Sequence, residues 1–274
     1  MLLPIFQLAG NSQSWHNILR YLVLDPQVRI FIDLDGTPSI HSITETIEIL
    51  GSIFFPSNTE VKDSSFSSLS ISQDGPHLNI RGWLSPLSVT EFTCRSTQEK
   101  AKFRLKIKSK PEWCERWMEH LCTRLRFKDL QVLHIRQSRD IDGSSTRALI
   151  RSAVKTIFGN STSLHTLAVY GMKSQHLASL LHEPGPFLKL DNGLFPSLKH
   201  VLADNILWPG ELNSAPTGNS VPIALRNRYY LGQGLQLLTL RHYQVTNGLD
   251  RLRMELEDLV GTLDVDAVYP YPLA

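Results

Sequence analysis

Two carboxylates after an apolar segment form the strongest catalytic pattern in this chain. Asp33 and Asp35 are separated by one residue, and Gly36 and Thr37 follow them. The preceding residues 28–32 alternate between aliphatic and other side chains, which predicts a strand. Carboxylates fixed at a strand end can act as a nucleophile or an acid/base and can bind Mg²⁺. The same residue types also suit a polar turn after a buried strand, because Asp and Gly are favoured in turns.

The segment 33–37, Asp-Leu-Asp-Gly-Thr, resembles the first motif of haloacid-dehalogenase-type phosphatases. The resemblance implies that the first Asp attacks phosphorus and the second handles the proton, while magnesium screens the charge. That chemistry also needs a hydroxyl donor, a lysine and a further acidic pair for the metal. Ser72, Lys155 and Asp204 are the candidates, but none of them lies in a recognisable motif. The family also generally begins close to its nucleophile, whereas a helix and a strand precede this segment.

A magnesium-dependent phosphohydrolase using Asp33 and Asp35 is therefore the alternative function, and the leading prediction is a protein that is not an enzyme. Glycine-rich phosphate loops, Gly-x-Ser-x-Gly elbows and zincin helix motifs are missing from the sequence. Cys114, His120 and Cys122 lack the paired short spacings of a zinc site. We predict no catalytic residue, no cofactor and no bound metal.

Composition places the protein among ordinary globular chains. Of its 274 residues, 42% are hydrophobic, and 28 basic residues against 26 acidic ones give a net charge of +2. This balance provides no general attraction to nucleic acid or anionic lipid, so we predict neither as a partner. No segment approaches the roughly 20 apolar residues of a membrane-spanning helix. Three cysteines without framework spacing favour free thiols and an intracellular location, cytoplasmic or nuclear.

The elements that would position these residues follow from the hydrophobic pattern. Residues 1–100 read as irregular strand and helix units, and the pattern sharpens beyond residue 100. Helical spacing is predicted over residues 14–24 and 42–54, and in a helix that Pro111 opens. Alternation predicts strands over residues 28–32, 66–71, 77–83 and 103–107.

A strand motif of the form Leu-x-x-Leu-x-Leu recurs in the second half of the chain. Successive copies begin 34, 34, 37 and 25 residues apart, and helical patterns lie between them at 145–158, 174–181 and 249–260. One such unit cannot bury its apolar face alone, whereas stacked units share a core. The five copies are Leu130-x-x-Leu133-x-Ile135, Leu164-x-x-Leu167-x-Val169, Leu198-x-x-Val201-x-Ala203, Leu235-x-x-Leu238-x-Leu240 and Val260-x-x-Leu263-x-Val265.

This recurrence predicts an α/β fold, an irregular leucine-rich-repeat-like solenoid with parallel strands and return helices. Residues 101–274 form the repeat-like region, and residues 1–100 are irregular units continuous with the array. Any α/β protein also has apolar strands separated by helices, so a non-repetitive α/β fold remains the alternative. The asparagine that usually stabilises the turn of a leucine-rich repeat is missing, and Asp204-Asn205 only approximates it.

The segments 129–135, 158–169 and 194–201 carry a resemblance to the leucine-rich carboxy-terminal region of fungal, basidiomycete-type F-box proteins. It covers roughly residues 100–270. In that family an amino-terminal F-box docks on a ubiquitin-ligase adaptor, while the repeats present a substrate-binding surface. The resemblance implies a protein-protein interaction module for substrate recognition. No F-box is evident, because residues 1–25 are too short for its three helices, so an adaptor is expected as a partner only if an F-box is present.

If the motif leucines point inward, the intervening residues form an exposed concave face. We predict that this face binds a protein partner through His134, Arg136, Tyr170, Asp204 and Arg241. Tyr and Arg are enriched among binding hot spots, so Tyr170 and Arg241 are the strongest candidates. The charge of the whole face runs from basic to acidic along Arg104, Lys106, Lys108, His134, Arg136, Thr166, Tyr170, His200, Asp204, Thr239, Arg241, Asp264 and Asp266.

Overall fold

A computed structural model describes the chain over most of its length. The described residues are 5–10, 28–34, 39–55, 65–74, 77–88, 91–92, 97, 100–108, 114–137, 152–182, 194–208, 220–245 and 249–266. They form an α/β protein with mostly parallel strands, as the sequence predicts. The predicted helix 14–24 lies outside the described residues, as do Asp35, Pro111 and residues 145–151.

The chain divides into two compact units, one of residues 1–134 and 140–157, the other of residues 135–139 and 158–274. Residues 103–124, which the sequence predicts as part of the repeat-like region, belong to the first unit. The elements of this first unit are β1 (Ile5–Gly10), β2 (Arg29–Leu34), α1 (Ile40–Phe54), β3 (Ser68–Asp74), β4 (His77–Trp83), β5 (Phe103–Lys108), α2 (Cys114–Arg124) and the beginning of β6 (Val132–Gln137).

The strands of the first unit follow the order β1-β2-β5-β4-β3-β6. β1 pairs with β2, and β2 with β5, in parallel. β4 is antiparallel to both of its neighbours, β3 and β5, which departs from the predicted parallel arrangement. For β3 and β4 the physical reason is chain length, because the two residues between Asp74 and His77 allow a hairpin but no crossover.

Alternation separates the two faces of β2 and β5. Ile30, Ile32, Leu105 and Ile107 are fully or almost fully buried, whereas the residues between them are half-buried. Helix α1 begins at Ser39, whose hydroxyl accepts a hydrogen bond from the Ser42 amide at 3.1 Å. It packs against α2 and contributes Ile43, Ile47 and Leu50 to the core, as its predicted face requires.

The second unit alternates strands with helices. Its strands follow the order β7-β8-β10-β12 after the end of β6, and all the register-matched pairs among them are parallel. Helices α3 and α4 pack against each other. The elements are β7 (Thr166–Tyr170), α3 (Ser174–Leu181), β8 (His200–Asp204), β9 (Leu207–Trp208), α4 (Val221–Tyr230), β10 (Leu235–Arg241), β11 (Gln244–Val245), α5 (Leu249–Glu257) and β12 (Val260–Val265).

The first four copies of the strand motif bury their aliphatic residues, as predicted. Within the second unit, Leu167 pairs with Val201, and Val201 pairs with Leu238, so equivalent motif positions lie side by side. The motif residues of the fifth copy are only half-buried, because β12 is the last strand in the order. The buried motif residues, all at most 4% exposed, are Leu130, Leu133, Ile135, Leu164, Leu167, Val169, Leu198, Val201, Ala203, Leu235, Leu238 and Leu240.

Main-chain hydrogen bonds repeat at the beginning of successive strands of the second unit. The His165 carbonyl accepts from the amides of Lys199 and His200 at 2.9 and 3.0 Å. The Lys199 carbonyl accepts in the same way from Gln236 and Leu237 at 2.8 and 3.1 Å. Corresponding residues of successive motifs therefore share both register and hydrogen bonding.

A left-handed residue follows each of the three strands β7, β8 and β10. Gly171, Asn205 and His242 have φ values of 73°, 56° and 44°, and each lies seven positions after its first motif leucine. Gly and Asn adopt this conformation more readily than other residues, and His is also enriched there. At Gly171 a second constraint applies, because a Cβ atom would lie 2.2 Å from the carbonyl oxygen of Gln137.

We predict that Gly171→Ala lowers the free energy of unfolding by several kcal/mol. The left-handed conformation alone costs about 1–2 kcal/mol for a residue with a Cβ atom, and the contact with Gln137 adds to it. Gly232→Ala is the matched control, since Gly232 has φ 71° but nothing within 4 Å of its added Cβ. Urea unfolding followed by circular dichroism should show a clearly larger loss for Gly171→Ala. Equal losses would mean that the close approach to Gln137 has no energetic effect.

Candidate functional site

Charged and aromatic side chains line the carboxyl ends of the second unit's strands. Tyr170 pairs with Asp204, Asp204 pairs with Arg241, and the Asp266 amide donates to the Leu240 carbonyl beside them. Parallel pairing therefore brings these residues into one row, although Tyr170 and Asp204 are 34 positions apart along the chain. We call Arg136, Tyr170, Asp204, Arg241 and Asp266 the carboxyl-end row.

Side-chain contacts orient the residues at both ends of the carboxyl-end row. The Arg136 guanidinium lies over the Tyr170 ring, 4.7 Å from the ring centroid, in a cation-π arrangement. At the other end, Arg241 Nε and Asp266 Oδ2 form an ion pair at 3.2 Å, with the two side chains 30% and 55% exposed. Both Tyr170 and Arg241 are thus half-buried, oriented by a neighbour and still open to a partner.

Asp204 differs from the prediction because it is buried rather than exposed. Its side chain is only 10% exposed, and Oδ1 lies 2.9 Å from Nδ1 of His242. His242 was not singled out from the sequence, although its left-handed position seven residues after Leu235 repeats that of Asn205. Asp204 therefore supports the row from within, while the more exposed His242 presents its imidazole to the surface.

The centre of the predicted concave face is also buried. Ala168, Leu202 and Thr239, which lie side by side in the register of β7, β8 and β10, are 0, 5 and 8% exposed. The predicted exposure of Thr239 is therefore wrong, and Thr166 and His200 are half-buried. At the carboxyl ends of these strands, groups of opposite charge lie beside one another, Arg241 beside Asp266 and His242 beside Asp204.

His134, the remaining predicted binding residue, lies in the first unit and is half-buried. Its Nδ1 is 2.9 Å from the Ser70 hydroxyl, and its ring stacks on Phe92 with centroids 5.0 Å apart. The neighbouring Val132 is 5% exposed and packs with Trp83, Leu87, Phe92 and Ala101 in a separate apolar cluster. This cluster explains why alternation alone does not describe β6, since both Val132 and Leu133 are buried.

A buried arginine positions the chain that leads into β8 and Asp204. Arg228 on α4 is fully buried and donates hydrogen bonds to the carbonyl oxygens of Leu194, Phe195 and Leu198, the last two at 3.0 and 3.4 Å. Burial lowers the pKa of Arg228 to about 10, so it stays protonated at neutral pH. The burial of Arg228 could have been inferred from the sequence, because it lies seven residues after Val221 on the apolar stripe of this helix.

Asp33 lies at the carboxyl end of β2, as the phosphatase resemblance requires. Its Oδ2 accepts a hydrogen bond from Lys106 Nζ at 3.0 Å, and both side chains are about 30% exposed. Register places Asn79 and then Ser72 in the same row across β4 and β3. Three strand spacings separate Ser72 from Asp33, about 14 Å, which is too far for both to contact one phosphoryl group.

The other residues nominated for phosphoryl chemistry lie on separate elements. Ser72 Oγ donates to the Asn79 carbonyl at 3.4 Å, Lys155 lies among the helical residues 152–158, and Asp204 belongs to the second unit. Lys106, which sequence reasoning had not nominated, is the lysine beside Asp33. Within the described residues, no group of three or more His, Cys, Asp or Glu side chains could hold a metal ion.

Cys122 is a free thiol, in agreement with the sequence interpretation. It lies on α2 and is 8% exposed, and burial raises its pKa well above the usual range of a thiol. A protonated, buried thiol is neither a nucleophile nor a metal ligand at neutral pH. Cys122 therefore acts as a small core residue.

Among the helices that the structure describes, none combines the length and apolar character needed to cross a membrane. Comparison of the chain with protein-family models, with curated proteins and with solved structures gave no match.

We predict that Arg228→Met lowers the free energy of unfolding by about 2–4 kcal/mol, because buried carbonyls lose their donors. Arg226→Met is the matched control, since Arg226 is exposed on the same helix and should change stability by less than about 0.5 kcal/mol. Chemical denaturation monitored by tryptophan fluorescence gives both values. An unchanged midpoint for Arg228→Met would contradict the anchoring role of this residue.

Proposed function

We propose that this protein is a non-catalytic interaction module that binds a protein partner through the carboxyl-end row. The observation that carries the proposal is the register of β7, β8 and β10, which aligns Tyr170, Asp204 and Arg241 at one sheet edge. In parallel sheets, the carboxyl ends of the strands are the usual place for ligands. A row of aromatic and charged side chains supported by a rigid sheet is suited to binding the surface of another protein.

The energetics of the row favour recognition. Tyr170 is stacked by Arg136, and Arg241 is oriented by Asp266, so less side-chain entropy is lost when a partner binds. Tyr and Arg are also the residue types most often found at binding hot spots. Asp204, held by His242, provides a fixed negative charge below the surface and contributes to the orientation of its neighbours rather than to direct contact.

The repeat-like features support an irregular leucine-rich-repeat-like solenoid as the finer description of the fold. The motif leucines share register, and left-handed residues recur at the same offset in three copies. On this basis, and on the resemblance to fungal F-box proteins, the module would recognise substrates of a ubiquitin ligase. A ligase adaptor is a partner only if an F-box is present. The buried free thiol of Cys122 suits an intracellular location, cytoplasmic or nuclear.

The alternative proposal is a magnesium-dependent phosphohydrolase that uses Asp33 and Asp35. In its favour, Asp33 lies at the carboxyl end of a parallel strand beside a lysine. The distance of Ser72 from Asp33 and the scattered acidic residues of the described chain favour the interaction module instead.

Replacing both Tyr170 and Arg241 by alanine should reduce recovery of a captured partner at least about ten-fold, corresponding to roughly 1.4 kcal/mol of binding free energy. The measurement is affinity capture with the purified chain followed by mass spectrometry. Tyr230→Ala combined with Arg226→Ala is the matched control, because both residues are exposed on helix α4. If the control loses the partner and the Tyr170/Arg241 variant retains it, the binding surface has been wrongly assigned.

With a generic aryl phosphate ester and Mg²⁺, the wild-type protein should release no more phosphate than Asp33→Asn. The asparagine keeps an acceptor for Lys106 but removes the carboxylate needed for attack on phosphorus. Circular dichroism of the two proteins controls for folding. Turnover by the wild type that disappears in Asp33→Asn would reject the non-catalytic proposal in favour of the alternative.

A further inference from the structure

Strand β1 is an edge strand that has none of the features by which edge strands usually avoid pairing. Among the described strands, β2 is its one neighbour. Native proteins protect an exposed edge with charged residues, with proline or with a bulge. The segment 5–10, Ile-Phe-Gln-Leu-Ala-Gly, has no charge and no proline, and its six residues pair with β2 in unbroken register. This edge is therefore able to accept another strand.

The outer strand of the second unit has the protection that β1 lacks. β12 lies at the end of that unit's strand order, and the exposed side chain of Asp264 is part of it. Asp266, also exposed, follows the strand directly. Acidic groups on an edge repel a second copy of the same edge, so β1 is the better candidate for pairing of like strands.

Both faces of β1 retain accessible apolar surface. Ile5 is 51% exposed on one face. On the other face, Phe6 and Leu8 are half-buried, although their register partners Ile30 and Ile32 are at most 2% exposed. The aliphatic layer of the sheet is thus left partly uncovered at β1, and a further strand beside it would cover Phe6 and Leu8.

Hydrogen-bond directions show which main-chain groups of β1 face outward. The Ile30 amide donates at 3.0 Å to the residue before β5, so the next residue, Phe31, directs its N–H and C=O toward β1. Phe31 lies opposite Gln7, and the slanted bonds of a parallel pair therefore join it to Phe6 and Leu8. The residues whose N–H and C=O point to the outer edge are Ile5, Gln7 and Ala9.

These outward groups match a second copy of β1 in antiparallel orientation, about a two-fold axis at Gln7. In that register the two Gln7 residues exchange both of their main-chain hydrogen bonds. Ile5 lies opposite Ala9 of the other copy, and Phe6 lies opposite Leu8, so the remaining cross-strand pairs are apolar. The strand is complementary to itself, and a two-fold pair of this kind is closed.

We propose that β1 is the interface through which two copies of this chain form a closed antiparallel dimer. The inference concerns the first unit and does not depend on the carboxyl-end row. An extended segment of an unrelated protein is the competing occupant, since main-chain hydrogen bonds alone can hold a strand at an edge. The apolar pairs that β1 makes with itself favour a second copy.

Sedimentation equilibrium of the full chain tests the proposal, and a monomer–dimer equilibrium is the expected result. Gln7→Lys and Gln7→Glu each place two like charges together at the two-fold axis, and each should raise the dissociation constant at least about ten-fold. An equimolar mixture of the two variants should restore dimers, because lysine then lies opposite glutamate. Thr262→Lys is the matched control, since Thr262 is exposed on the edge strand β12, and it should leave dimerisation unchanged.

A wild-type chain that sediments as a monomer at every concentration would overturn the proposal. Dimers that persist in both Gln7 variants, or that Thr262→Lys weakens equally, would place the interface elsewhere. A variant mixture that remains monomeric would overturn the two-fold register, and assemblies that grow beyond a dimer would overturn the closed pair in favour of head-to-tail association. Circular dichroism of each variant verifies that the exposed substitution leaves the fold intact.

Discussion

The parallel register of the second unit places equivalent residues of successive motifs side by side. Leu167, Val201, Leu238 and Leu263 form one continuous line of aliphatic side chains across four strands. Because side chains alternate between the two faces of a strand, a slip of one residue would turn these aliphatic side chains to the opposite face of the sheet. Burial of this line therefore fixes the position of everything else on the strands.

The carboxyl-end row is a direct result of that register. No local feature of the sequence joins Tyr170 to Asp204 or Asp204 to Arg241, and only the pairing of buried neighbours brings them together. Arg228 adds a second constraint, since it ties the segment before β8 to helix α4 through main-chain carbonyls. The residues of the carboxyl-end row thus depend on interactions well below the surface.

Features that depend on local periodicity could be predicted from the sequence. Strand alternation in β2 and β5, the buried face of α1 and the inward motif leucines all follow from the spacing of apolar residues. Features that depend on distant contacts could not. Lys106 meets Asp33 across 73 positions, and neither the burial of Asp204 nor that of Thr239 is encoded in its own strand.

Strands β4 and β5 show a similar limit in the first unit. The alternating cations of β5 were visible in the sequence, but nothing in the sequence places Arg81 opposite Arg104. Their proximity requires the antiparallel β4, whereas parallel strands were expected. The short hairpin between β3 and β4 therefore determines which charged residues become neighbours.

The left-handed residues that follow β7, β8 and β10 mark the boundary between the aligned strands and the return paths, whose lengths differ. Each one follows its strand at the equivalent register position, and the next residue along the chain, Met172, Ile206 or Tyr243, is buried. Beyond that point, the chain returns to the next strand over paths of different length, since successive motifs begin 34 and 37 residues apart. Insertions and deletions in the loops of these return paths can accumulate without disturbing the strands, so the loops are free to diversify while the carboxyl-end row stays constant.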